Sequence, residues 1–164
     1  MGDRTSLPRA DPTEWLLEED NPSVRYLALR NLLGKGDDDP EVRETKRRIM
    51  EVGVVPKVLA KQEPGGHWGP PEHFYQNSKY KGTVWNLILL AELCADPGDQ
   101  RIRNACEFVL TWSQHRPSGG FSCKGTAKNG GNRSVFSCLT ANMLFALVRL
   151  GYGRDERVIR GFEW

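Results

Sequence analysis

The side chains best suited to metal or redox chemistry are four cysteines, at 94, 106, 123 and 138, and three histidines, at 67, 73 and 115. Cys123 and Cys138 flank a polar loop rich in Gly, Lys, Asn and Ser, and the histidines fall in turns between apolar runs. A tetrahedral zinc site can be built from two thiolates and two imidazoles. Cys123, Cys138, His67 and His73 are the set from which one could be assembled. Fourteen residues separate the two cysteines, which is not a zinc-finger spacing, so buried or rim thiols are the expectation and no cofactor is assigned. Cys94 and Cys106 sit on apolar stripes and belong to the core.

A second group is aromatic. Trp68, Phe74, Tyr75 and Tyr80, with Lys79 and Lys81, occupy a long polar stretch that ends in Trp85. Such a group can hold an apolar or cationic ligand, so Trp68, Phe74, Tyr75, Tyr80, Lys81 and Trp85 are the candidate binding residues. The competing reading is that these rings cap one end of the core by packing. The third group is a charge run, Lys46-Arg47-Arg48, read as the solvated face of a helix. No residue is assigned a catalytic role.

The elements that must position these groups are helices. Asp11-Pro12, Asn21-Pro22, Asp39-Pro40 and Asp96-Pro97 each pair an Asx side chain with a proline suited to the first helical turn. Gly34, Gly53 and Gly151 follow apolar runs as stops. No segment alternates apolar and polar residues for long enough to predict a strand. The chain reads as all-α, with a flexible tail over residues 1–11 and one helical domain over 12–164.

Within that domain the sequence repeats. Ser23 to Gly34 aligns with Thr83 to Cys94 at an offset of 60, and with Thr140 to Gly151 at a further 57. A polar joint and a second helix follow each copy: Asp99 to Phe108 matches Asp155 to Trp164, and Asp39 to Met50 fits more loosely. The first helix of each later pair is apolar nearly all round and the second is amphipathic, which predicts an inner and an outer layer. Two related turns follow outer helices, Gln62-Glu-Pro-Gly65-Gly66-His67-Trp68 and Gln114-His-Arg-Pro-Ser-Gly119-Gly120-Phe121. Each glutamine is predicted to bond helix-terminal groups, with its aromatic packed nearby.

These turns, at the ends of outer helices in helix-pair repeats of 50–60 residues, resemble the QW repeat of squalene and oxidosqualene cyclases. The α/α-toroid superfamily that contains them also includes protein prenyltransferase β subunits. The resemblance covers residues 22–164 and implies a toroid-like fold, here an incomplete barrel of about two and a half repeats. It implies a structural role for Gln62, Gly65, Gly66, Trp68, Gln114, Gly119, Gly120 and Phe121, although Phe121 replaces the usual tryptophan. The cyclases protonate an alkene through a DxDD motif, which this sequence lacks. Asp37-Asp38-Asp39-Pro40-Glu41 fits the DDxxE pattern of other terpene synthases, but Pro40 places the run before a helix and makes Asp39 an N-cap.

Composition bounds the remaining readings. The 164 residues are 38% hydrophobic and 27% charged, with 23 basic and 21 acidic side chains. No run approaches the length of a membrane span, no signal sequence opens the chain, and scattered cysteines point to a reducing cytoplasm. Neither nucleic acid nor an integral membrane segment is expected. The function expected is a module that binds an apolar small molecule or a protein rather than catalysing alone. The alternatives are a cyclase-like or prenyltransferase-like enzyme as part of a longer chain, and a HEAT-like scaffold. The apolar inner helices further predict self-association, or more repeats beyond Trp164.

Overall fold

The computed structural model describes residues 11–75 and 81–164. The three aligned runs are helices: α2 (Pro22–Asn31), α5 (Thr83–Glu92) and α7 (Ser137–Leu147), preceded by the short α1 (Thr13–Leu16). Each run closes on a left-handed residue at the same aligned position, Gly34 (φ 64°), Cys94 (φ 58°) and Gly151 (φ 91°). Cys94 holds that conformation despite its Cβ, with the Ala95 N–H donating to Leu90 O at 3.0 Å across the helix end. The last run passes through a π-type turn, Val148–Tyr152, before it stops.

The second helices are α3 (Pro40–Arg48), α6 (Gln100–Trp112) and α8 (Glu156–Glu163). Each starts on an aspartate whose carboxylate accepts first-turn N–H groups. Asp39 takes Glu41 N at 2.8 Å, Asp99 takes Arg101 N at 2.8 Å, and Asp155 takes Arg157 N at 2.8 Å. Such caps contribute about 1 kcal/mol each. Two expected caps differ. Asn21 makes no side-chain cap bond to α2. Asp96 accepts from Gly98 N at 2.9 Å and shapes a turn, so its helix starts three residues later, at Asp99.

The outer path of the first unit is broken. α3 ends at Arg48, and α4 (Val54–Leu59) resumes after Gly53, whose φ of 86° turns the chain. Gly53 therefore starts a helix as well as following an apolar run. The second unit has no such break: α6 runs thirteen residues straight into its turn.

One buried cluster joins the units. Ile49, Val55 and Leu59 meet Leu87, Leu90, Ile102, Val109, Met143, Leu147 and Val158, all at most 2% exposed. α5 packs against both α6 and α7, and α7 against α8. The inner helices are less completely covered than their sequences predict: Leu89 on α5 and Ala141 and Phe145 on α7 are exposed.

The fold is mainly helical, but a two-stranded antiparallel hairpin appears where no strand was expected. β1 (Gly125–Thr126) pairs with β2 (Gly130–Gly131) beside the end of α6. Any Cβ on Gly125 would overlap the Trp112 carbonyl oxygen, so this seam is open only to glycine. Of the expected tail, residues 1–10 lie outside the described residues, and Asp11 accepts from Thr13 N at 3.0 Å. Among the described residues no helix is long and apolar enough to cross a membrane.

Candidate functional site

The two Gln–Gly-Gly–aromatic turns join consecutive units by the same bonds. Gln62 Nε2 donates to Arg101 O at 2.9 Å, in the first turn of α6. Gln114 Nε2 donates to Arg157 O at 2.7 Å, in the first turn of α8, and to Gly119 O at 2.8 Å within its own turn. The residue after each turn is held on an inner helix: Trp68 N donates to Thr83 Oγ1 at 3.1 Å and Phe121 N to Thr140 Oγ1 at 2.9 Å. Gly66 (φ 82°) and Gly119 (φ 86°) lie directly on the backbone of the next outer helix, at Asn104 and Arg160. Gly65 is exposed, whereas Gly120 is buried beside Trp164 and Val135. These residues assemble the molecule and leave no reactive group free.

The aromatic group is divided by the fold. Trp68 is buried and its indole N–H donates to Val58 O at 2.9 Å. Trp68 and Lys81 help line an open cavity of about 540 Å³, together with Lys57, Lys61 and Asn86. Phe74 is fully buried, its ring 6.3 Å from that of Phe108 and edge-on to it. Tyr75 stacks on Trp85 at 5.9 Å. Tyr80 lies outside the described residues. The packing role therefore accounts for Phe74, Tyr75 and Trp85.

The metal candidates are not gathered. Cys123 is buried and Cys138 exposed. His67 lies 5.1 Å from the Phe108 ring with its Nδ1 2.8 Å from Gly69 O, and His73 is exposed. Among the described residues there is no group of three or more His, Cys, Asp or Glu side chains placed to hold a metal ion. Cys106 is fully buried, and desolvation pushes its thiol up to about 12, which makes it unreactive near neutral pH.

Three of the four carboxylates in the acidic run are taken up by structure. Asp39 caps α3, Asp37 pairs with Arg30 at 3.0 Å, and Glu41 pairs with Arg25 at 2.6 Å and with Lys35. Arg47 is exposed as expected, but Lys46 turns inward. Its ammonium lies 5.0 Å over the Tyr26 ring and donates to Cys94 O at 2.6 Å. The lysine four residues after Val42 borders the buried face formed by Val42, Thr45 and Ile49. That spacing was the signal available in the sequence.

Among the described residues, one exposed apolar edge lies along α7 and α8. The α5 residues Val84, Leu87 and Ala91 are buried, and Ile88 is half-buried. Their counterparts on α7, 57 residues later, are Ala141, Leu144, Phe145 and Val148. Phe145 is 39% and Val148 43% exposed, and Ala141 is exposed as well, whereas Leu144 is buried. They line a groove of about 450 Å³ that continues onto α8 through Phe162 (64% exposed) and Trp164 (47%). Ser137 and Thr140 supply hydroxyls at one end and Arg149 a charge at the other. This surface can exclude water from an apolar partner. It presents no general acid–base pair.

Comparison of the chain with protein-family models, curated proteins and solved structures finds no match.

Proposed function

We propose that the chain is a helix-pair repeat module of the α/α-toroid kind, whose working surface is the apolar groove between α7 and α8 and whose partner is another helix pair of the same type. The observation that carries this reading is internal. The apolar positions covered on α5 recur in sequence on α7, where Leu144 is buried but Ala141, Phe145 and Val148 are open. A helix related to α7 as α7 is to α5 would bury Phe145 and Val148, and its outer companion would meet Phe162 and Trp164. Contiguous apolar surface of this kind marks an interface on soluble proteins. The Gln–Gly-Gly–aromatic turns support likening the module to the repeats of squalene cyclases and prenyltransferases. With DxDD absent and Asp37, Asp39 and Glu41 engaged in a cap and ion pairs, binding is favoured over catalysis.

The test is light scattering across micromolar concentrations on the purified chain and on Phe145→Glu, with circular dichroism to check that the variant folds. Concentration-dependent association that the variant abolishes is expected. A monomer at every concentration, for both proteins, would overturn the reading. Mass spectrometry of the native protein adds a second arm, because a co-purifying lipid lost in Phe145→Glu would replace the helical partner with an apolar small molecule.

A further inference from the structure

The ends of four helical runs enclose an open cavity of about 300 Å³, whose Arg149 also borders the α7–α8 groove. Its wall carries three cations, Arg30 from α2, Lys46 from α3 and Arg149 from the end of α7, with the Tyr26 ring, the Asn31 amide and the Cys94 thiol between them. No carboxylate lines it. Arg30 is paired with Asp37 at 3.0 Å and also donates to Lys35 O. Among the described residues, the ion pairs involve Arg25, Arg30, Lys35, Arg47, Arg48, Arg101 and Arg157, and neither Lys46 nor Arg149. Both instead use part of their hydrogen-bonding capacity on the end of the α5 run. Lys46 donates to Cys94 O at 2.6 Å; Arg149 Nε donates to Ala91 O at 3.1 Å, and its Nη2 lies 3.3 Å from Cys94 Sγ.

We propose that this cavity is a binding site for a small oxyanion of the phosphate-monoester type, held between Lys46, Arg149 and Arg30. An ammonium has three donors and a guanidinium five, so the bonds to Cys94 and Ala91 leave both groups able to grip a tetrahedral anion. Asn31 adds a neutral donor, and the Tyr26 ring flanks the position of a small substituent. The electrical surroundings agree. Burial and the neighbouring Arg149 lower the Lys46 pKa, against the opposing influence of the Cys94 thiol and Asp96. Asp96, the nearby carboxylate, accepts from the Gly98 N–H instead of lining the cavity. The ammonium thus lacks a full counter-charge, which a phosphate would provide.

A plainer account is that Lys46 and Arg149 only neutralise the carbonyls at the end of α5. The two accounts differ in their response to added anion. Inorganic phosphate is the probe, titrated against chloride at matched ionic strength, with thermal melting and calorimetry as readouts. Saturating phosphate is expected to raise Tm by about 2–4 °C. Lys46→Met is expected to weaken phosphate binding about tenfold or more. Arg30→Gln, which leaves the α5 carbonyl bonds intact, should weaken it measurably while the far-ultraviolet spectrum stays unchanged. No phosphate-specific shift in the parent chain would overturn the proposal. So would a shift that survives in both variants, since that would reflect general screening of a basic surface.

Discussion

The turn after α4 and the turn after α6 make the same bonds in different surroundings. Gln114 is 2% exposed, and its amide bonds Gly119 O and Arg157 O at 2.8 and 2.7 Å. Gln62 is half-buried, and the equivalent bonds, to Gly66 O and Arg101 O, are 3.4 and 2.9 Å. The second turn is also sealed from behind. The β1–β2 hairpin lies against the end of α6, and Ser113 Oγ donates to Ser122 O at 2.8 Å. The first turn follows the broken outer path of α3 and α4. The comparison teaches that the motif sets which groups meet, while the neighbouring segment sets how dry the meeting is and so how much each bond contributes.

The largest expected effect would break the equivalence if it failed. Gly66→Ala and Gly119→Ala each place a methyl against the backbone of the following outer helix, at a residue with positive φ. Each is expected to cost about 3 kcal/mol, combining left-handed strain with overpacking. Urea unfolding measures both. A Gly66→Ala variant as stable as the parent would show that the first turn does not clamp α6 as the second clamps α8.

Next in size are the glutamines, which sharpen the contrast in dryness. Gln114→Ala takes the amide donor from the buried Gly119 O and from the part-buried Arg157 O and should cost about 2 kcal/mol, whereas Gln62→Ala should cost about 1 kcal/mol or less because water can replace the amide. Equal losses in chemical denaturation would mean that burial does not distinguish the two sites.

The smallest effect concerns the arginines that carry the accepting carbonyls. Arg157 pairs with Asp155 at 2.7 Å and with Glu107 of α6 at 2.8 Å, bridging two helices, while among the described residues Arg101 pairs with Asp99 at the start of its own helix. The Arg157 guanidinium holds the Asp155 and Glu107 carboxyls below their usual range. Carboxylates with lowered folded-state pKa values add stability above their unfolded values and lose it as pH falls through the folded ones. Arg157→Met should therefore cost about 1 kcal/mol near neutral pH, tempered by solvent exposure, and nearly nothing once the pH is below both carboxyl ranges. Arg101→Met should cost less. Melting curves from pH 7 down to pH 2 test the sign; a deficit that persists undiminished in acid would exclude the ion pairs as its cause.

Part of the helical architecture was legible from local signals: the stops at Gly34 and Gly151 and the cap at Asp39 follow rules that one sequence can display, whereas the cap expected at Asp96 lies at Asp99. Cys94 hid its left-handed conformation because that depends on the surroundings of one residue, not on its type. The hairpin was hidden because two-residue strands have no periodicity, although Asn129-Gly130 is a turn signal. Lys46 was misread within a charge run, since its inward turn is set by Tyr26 and Cys94, distant in sequence. The aromatic residues of the candidate binding group are neighbours in sequence, but the fold divides those that it describes. Which of them would enter the core depended on Phe108 of another helix.

The glutamine joint also has a direction. Its donor lies beyond the C-terminal end of one outer helix, and its acceptor is a carbonyl in the first turn of the next. The two sides of such a joint are different surfaces, so copying it cannot generate a two-fold axis. Growth by this joint is head to tail: it closes into a ring when the rotation per unit divides a full circle, and otherwise it winds into an open helical filament.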